Sequence, residues 1–288
     1  MLDIFTLIII LTCLIALLIG SYTDLKTREV PDWLNFSLIA AGLGIRSIVS
    51  IVRWDYHPIL YGLIGLAIFV AIAFIMFYAG QWGGGDAKML MGLGALLGFD
   101  FRFDGLFVSF FLAIIFIGAF YGLFWSFSLI IINWKAFKKS VHSYMHKKPF
   151  IYYRIATLTL ATIIIIAIVF LKDPAVRLTL ISAILLIYIV MYLYVIFKAI
   201  EDVCMIKKIN VSKLTEGDWI NEPVKHKGKL IAGPKDLGIT KEQIAKLKQL
   251  HIKEVVVKEG IPFVPSFLLA FLFALMYGNI LIVLTGLI

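Results

Sequence analysis

Two aspartates stand in this chain where an aspartate is costly. Asp24 follows an apolar run in "GSYTDLKTREVPDWLN" (Gly20–Asn35), and Asp86 follows three glycines in "GQWGGGDAKMLMG" (Gly80–Gly92), between two apolar segments. Holding an unpaired carboxylate at a membrane edge costs several kcal/mol, so each invites a chemical reading. If the fold brings them together, they cannot comfortably both ionise. They then share a proton, and one can draw a proton from a water while the other donates to the group under attack. Gly83, Gly84 and Gly85 would admit positive φ and the close approach of another backbone, such as an extended peptide beside Asp86. A helix starting here would favour the Asp86 anion through its dipole. The plainer reading makes Asp86 a helix cap, pairs Asp24 with Lys26 or Arg28, and gives the glycines to packing.

The elements that must position these residues are membrane helices. The chain has 288 residues, 61% of them hydrophobic, and a mean hydropathy of +0.98, whereas soluble domains stay near half apolar. The sequence predicts an all-α polytopic membrane protein with about eight transmembrane helices, one of them short, and a small cytoplasmic α+β module. Seven long runs cover 4–20, 33–52, 58–79, 105–132, 151–171, 175–198 and 263–287, and a short one covers 89–99. The expected division is a catalytic membrane core at 1–133, a basic loop with a two-helix insertion at 134–200, the module at 201–262 and a final helix at 263–288. With eight crossings, Lys26, Arg28, Lys88, the basic run at 135–154 and nearly every lysine from 198 to 258 fall on one side. The positive-inside rule makes that side cytoplasmic, so both aspartates face the cytoplasm of a multi-pass cell-membrane protein. The net charge of +9 then reads as contact with anionic membrane lipids rather than nucleic acid.

Within the polar segment, "DWINEPVKHKGKLIAG" reads as two short strands around a Lys-Gly turn. "TKEQIAKLKQLH" reads as a helix with a Thr240/Gln243 capping box, and "IKEVVVKEG" as a further strand. Cys13 and Cys204 are too few for a disulfide framework or a CxxC metal site. His142 and His146 have the i, i+4 spacing of a metal pair without an evident third ligand, so no metal and no cofactor is expected. Trp33, Trp54, Trp82 and Trp134 suit an interface belt. Glu29 and Asp32 neutralise Lys26 and Arg28 or meet a basic substrate, and Arg46 snorkels outward.

Three stretches resemble one family. "GGGD" at 83–86 matches a GxGD signature, and "D-x-K-x-R-x-V-P" from Asp24 to Pro31 is similar to the first-aspartate motif of the type IV prepilin peptidases, including archaeal preflagellin peptidases. "KEGIPFVPSFLLAF" (Lys258–Phe271) and "LTEGDWI" (Leu214–Ile220) resemble the C-terminal region of archaeal members. The resemblance implies an intramembrane aspartyl endopeptidase with catalytic Asp24 and Asp86, acting on pilin-like or archaeal flagellin precursor proteins. Lys26, Arg28, Lys88, Pro262 and Pro265 are supporting candidates. The helices at 151–171 and 175–198 exceed the six of smaller archaeal members and look like an insertion. The cytosolic cysteine pairs of bacterial members are absent, so methylation is not expected. The PAL tripeptide of presenilin-like proteases is also absent, with "PFVP" at 262–265 in a similar position.

Two other classes compete. A proton- or cation-coupled transporter would use the same aspartates, although transporters place such acids near the bilayer midplane on broken helices. A scaffold whose 201–262 module docks a partner would need neither aspartate.

Overall fold

The computed structural model describes residues 3–236 and 238–286. They are mainly helical, and six helices are long and apolar enough to cross a membrane, so the chain is a polytopic membrane protein. α1 (Ile4–Thr27), α2 (Asp32–Arg53) and α3 (His57–Tyr78) are followed by the short α4 (Gly84–Leu97) and then α5 (Leu106–Ile132). α1 ends where Arg28 adopts a left-handed conformation with φ 62°. Pro31 bars the chain from continuing helically through Val30, and α2 restarts immediately after it.

The described chain divides into two compact units, with the first comprising 3–125, 209–236, 238–255 and 259–286. In it α4 lies against α2 and α3. The α3–α4 crossing is a glycine contact: a Cβ on Gly65 would fall 2.5 Å from the Gly94 carbonyl oxygen, and one on Gly94 would fall 2.6 Å from that of Gly65. Small residues at a crossing let two backbones approach where apolar burial supplies no drive between helices. Leu17, Phe69, Met89, Leu90, Leu93, Phe110, Phe267 and Phe271 are fully buried around this group.

The second unit comprises 126–208 and 256–258. It contains α6 (Trp134–Met145), α7 (Lys148–Phe170) and α8 (Pro174–Ile200), the last continuing into a π-helical turn at Glu201–Met205. α6 buries Phe137 against Ala199, Ile200 and Cys204, while the His142 and His146 rings lie tilted with centroids 4.2 Å apart. Glu201 bridges Lys198 and Lys258, both at 2.7 Å.

The polar segment forms β1 (Ile206–Asn210), β2 (Trp219–Ile220), β3 (Val224–His226), β4 (Lys229–Ala232), α9 (Lys241–Gln249) and β5 (Glu254–Lys258). One sheet has the order β1-β5-β2, and β3 pairs antiparallel with β4. The hairpin turns at Lys227 (φ 47°) and Gly228 (φ 77°), the double positive φ that a two-residue turn requires. The capping box forms at α9: the Gln243 N–H donates to Thr240 Oγ1 at 3.3 Å, and the Thr240 N–H to Gln243 Oε1 at 2.8 Å. β1 carries no alternating pattern and escapes the sequence reading, and the stretch read as one strand before the Lys-Gly turn holds two, β2 and β3.

The C-terminal end differs from the single helix expected at 263–287. α10 (Val264–Tyr277) stops at Gly278, whose φ is 72°, and α11 (Ile280–Thr285) begins anew. Asn279 makes the break tolerable by donating from Nδ2 to the Phe103 carbonyl at 2.7 Å and accepting at Oδ1 from the Leu281 N–H at 3.0 Å. The expected helix's last residue, 287, lies outside the described residues, as does 288 of the expected C-terminal division.

Candidate active site

Asp24 lies in the last turn of α1 and is buried, at 5% exposure. Its Oδ2 accepts from the Val264 N–H at 3.0 Å, and the Phe263 N–H also donates to the carboxylate. Pro262 is buried and Pro265 half-buried, and neither has an N–H to offer. The only backbone donors in the "PFVP" stretch are thus those of Phe263 and Val264, which both go to Asp24. Pro265 falls at the start of α10, where a missing N–H breaks no helical bond.

Asp86 sits at the third position of α4 and is half-buried. Its Oδ2 accepts from the Gly83 N–H at 3.0 Å, so it caps the helix it begins. Asp24 and Asp86, about 60 residues apart in the chain, come close enough for their charges to interact directly. Capping and proximity to Asp24 therefore coexist at Asp86.

The glycines depart from expectation. None of Gly83, Gly84 and Gly85 has positive φ; that conformation falls to Gly80, at 68°. Gly83 has φ −71° and ψ 164°, open to any residue. Gly85 does meet a close backbone, but it is the chain's own: a Cβ there would fall 3.2 Å from both N and Cβ of Val30. Gly83 and Gly84 are freer, their nearest neighbours being Asp86 Oδ2 at 3.4 Å and Phe77 at 3.9 Å.

The supporting basic residues are spread out. Lys26 is exposed and reaches the Tyr22 hydroxyl at 3.4 Å. Arg28 lies 5.1 Å from the Trp125 ring and donates to the Gly260 carbonyl at 3.4 Å. Lys88 pairs with Asp32 at 2.5 Å, joining the first turns of α2 and α4. Asp32 thus neutralises Lys88 rather than Lys26 or Arg28.

Several neighbours were not legible beforehand. Tyr121 on α5 interacts electrostatically with Asp24, and its buried hydroxyl has no hydrogen-bond partner among the described residues. Trp82, expected in an interface belt, is instead buried in the core, 5.8 Å from the Phe263 ring and 5.4 Å from that of Phe267. Ser21, one turn before Asp24, and Asn35, in α2, are buried with polar atoms that find no partner among the described residues. Only the polar type of these residues within apolar surroundings could have drawn attention to them. Arg46 does not snorkel outward: its guanidinium bonds to the C-terminal carbonyls of α4. Trp219 of β2 reaches the loop before α4, since a Cβ on Gly80 would fall 3.0 Å from its ring. Asp218 beside it interacts with Glu29 and Glu259.

Residues 10–134, which include both aspartates, match the type IV leader peptidase family. Over 83 residues the chain is 39% identical to a preflagellin peptidase of Methanocaldococcus jannaschii, covering 29% of this chain and 35% of that one. It is 36% identical over 84 residues to the preflagellin peptidase of Methanococcus voltae, covering 29% of this chain and 36% of that one. With a prepilin peptidase of Methanothermobacter thermautotrophicus it shares 30% identity over 87 residues, 30% of this chain and 23% of that one. The chain thus spans about a third, or less, of the length of the curated relatives it matches. No solved structure matches it. Through the segment that holds Asp24 and Asp86, the chain is similar to the type IV leader peptidase family and to archaeal preflagellin peptidases.

Proposed function

We propose that the protein is a membrane aspartyl endopeptidase that removes short basic leader peptides from pilin-like or archaeal flagellin precursors. The observation that carries this reading is the meeting of Asp24 and Asp86, one clamped and buried, the other half-open to a substrate. The names of the relatives, preflagellin and prepilin peptidases, supply the substrate class.

In the proposed reaction the carboxylate of the pair takes a proton from a water, whose oxygen bonds to the scissile carbonyl carbon. The protonated partner gives its proton to the carbonyl oxygen, leaving a neutral diol. Collapse breaks the C–N bond as a proton passes to the departing amine, and the pair again holds a single proton. The space beside Gly83 and Gly84, roomy enough to take a Cβ, leaves Asp86 open to an approaching peptide. Arg28 holds the Gly260 carbonyl and Lys88 the Asp32 carboxylate, while Lys26 stays exposed beside the Tyr22 hydroxyl.

The eight-crossing topology belongs to this proposal: the six long helices together with α4 and α10–α11 keep the basic loops, and with them the dyad, on the cytoplasmic side. So does the division into a catalytic core at 1–133, a two-helix insertion at 134–200, a cytoplasmic α+β module at 201–262 and a C-terminal transmembrane segment. Anionic lipids meet the basic face.

Cleavage of a pilin-like precursor in membranes, wild type against Asp24→Asn and Asp86→Asn, tests the reading. Both variants are expected to insert and to lose cleavage. Undiminished cleavage by either would exclude the dyad, and loss of an ion gradient without any wild-type cleavage would favour the transporter.

A further inference from the structure

Arg46 lies in α2, yet its guanidinium is committed wholly to backbone carbonyls. Nε donates to Ala95 O at 3.1 Å and Leu96 O at 2.9 Å, Nη2 to Leu96 O at 2.7 Å and to Leu97 O, and Nη1 to Pro58 O at 3.1 Å. A helix leaves its last four carbonyls without internal partners. At α4 the first of these, Gly94 O, is taken by the Gly98 N–H at 3.0 Å, and Arg46 takes the other three. Two glycines clear the space: a Cβ on Gly98, where φ is 62°, would fall 2.4 Å from Arg46 Cζ, and one on Gly62 would fall 2.4 Å from Cδ.

The need for this arrangement follows from length. At 14 residues, α4 extends about 21 Å, against about 30 Å of hydrocarbon. A helix of that length starting at one interface ends where no water can satisfy its carbonyls, each of which is costly to leave bare. The planar fork of an arginine serves several of them at once, and its charge complements the negative end of the helix.

We propose that Arg46 is a positioning residue for Asp86: by fixing the C-terminal end of α4, it sets the depth and rotation at which the first turn presents its carboxylate to Asp24. This rests on the dyad reading above. Asp86 and Leu96 are separated by about 15 Å of continuous helix, which transmits an axial slip at one end undiminished to the other. Without the guanidinium, the bare carbonyls draw α4 toward whichever donors it can reach, and Asp86 leaves its place opposite Asp24.

The test reads geometry and catalysis separately. In a chain with Cys13 and Cys204 replaced by alanine, cysteines at positions 24 and 86 are joined by a short bifunctional thiol reagent, and the yield is measured by mass spectrometry with Arg46, Arg46→Lys, Arg46→Met and Gly62→Ala. Cleavage kinetics are measured for the same position-46 and position-62 changes with both aspartates intact. Expected are a severalfold fall in cross-link yield for Arg46→Met, a smaller one for Arg46→Lys, and a loss of about tenfold to a hundredfold in kcat with KM nearly unchanged. Gly62→Ala, which crowds the Arg46 arm but keeps its charge, should move both readouts the same way and serves if Arg46→Met fails to insert. An unchanged cross-link yield in the inserted variants overturns the proposal, whatever happens to activity. A reduced yield alongside full cleavage by Asp24→Asn or Asp86→Asn would sink the dyad and leave the anchoring role standing.

Discussion

The three glycines before Asp86 should differ sharply in what alanine does to them. At Gly85 a Cβ would lie 3.2 Å from Val30 N and Cβ and 3.3 Å from its Cγ2, whereas carbon contacts settle near 3.5–4.0 Å. One neighbour is backbone, so no rotamer change relieves it, and the first turn of α4 must retreat from Val30 by about 0.5 Å. Misplacement by about 1 Å can cost a hundredfold in rate, so half of that predicts about a tenfold loss of kcat for Gly85→Ala. At Gly84 the nearest atom would be Phe77 at 3.9 Å, an ordinary contact, and at Gly83 it would be Asp86 Oδ2 at 3.4 Å. Gly83→Ala keeps the N–H that Asp86 accepts and an extended conformation alanine adopts freely, so both variants should stay within about threefold of wild type, at most a modest loss at the cap. Cleavage of a pilin-like precursor in proteoliposomes, normalised to inserted protein, measures the series. Val30→Ala removes the Cγ2 contact and should recover part of the Gly85→Ala loss, a coupling visible in the double mutant. Equal damage from Gly84→Ala and Gly85→Ala, or full activity of Gly85→Ala, would refute the reasoning.

Other outcomes follow from particular contacts. Pro262→Ala and Pro265→Ala loosen the stretch that directs two N–H groups to Asp24, and each should lower kcat severalfold without loss of insertion, as cleavage kinetics would reveal. Asp218→Asn should leave cleavage within a few-fold, because its carboxylate serves a turn, accepting from the Thr215 N–H at 2.8 Å; complete loss would move the chemistry out of the membrane. Burial, with Glu29 and Glu259 nearby, holds the Asp218 carboxyl above its usual range. The folded state then binds its proton more tightly than the unfolded one, so this group's contribution to stability falls as pH rises above the ordinary aspartate range. Asp218→Asn should flatten that fall in thermal unfolding measured from acid to neutral pH.

Much of the framework was readable because membrane helices announce themselves by length and apolarity, and the Thr240/Gln243 box and Lys227-Gly228 turn follow local rules. That Asp24 and Asp86 come near each other was also accessible, since both sit beside apolar runs and on the same side of the expected topology. What escaped were consequences of tertiary contact. The conformations of Gly83–Gly85 depend on how Val30 packs, and nothing in "GGGD" reveals that packing. Arg46 reads as an interfacial arginine until α4 is seen to end beside it. The break at Gly278 is hidden in an apolar run because Asn279 repairs it through a carbonyl at Phe103, far away in sequence.

These repairs share a logic that bears on how Asp24 should be tested. Three polar side chains in the first unit meet backbone interruptions: Arg46 at the end of α4, Asn279 between α10 and α11, and Asp24 at the start of α10. Where water is scarce, an orphaned backbone group costs about 1–3 kcal/mol, so each of these side chains carries folding as well as any chemistry. Asp24→Ala would leave the Phe263 and Val264 N–H groups unpaired, and its inactivity would not separate lost catalysis from a displaced α10. Asp24→Asn keeps an acceptor oxygen for these donors while removing the ionisable group. The expected pattern is therefore a thermal midpoint near wild type with no cleavage for Asp24→Asn, and a clearly lowered midpoint for Asp24→Ala, measured by unfolding in detergent. Equal midpoints for the two variants would show that the N–H groups of Phe263 and Val264 do not depend on Asp24, and that the clamp is not what holds the carboxylate in place.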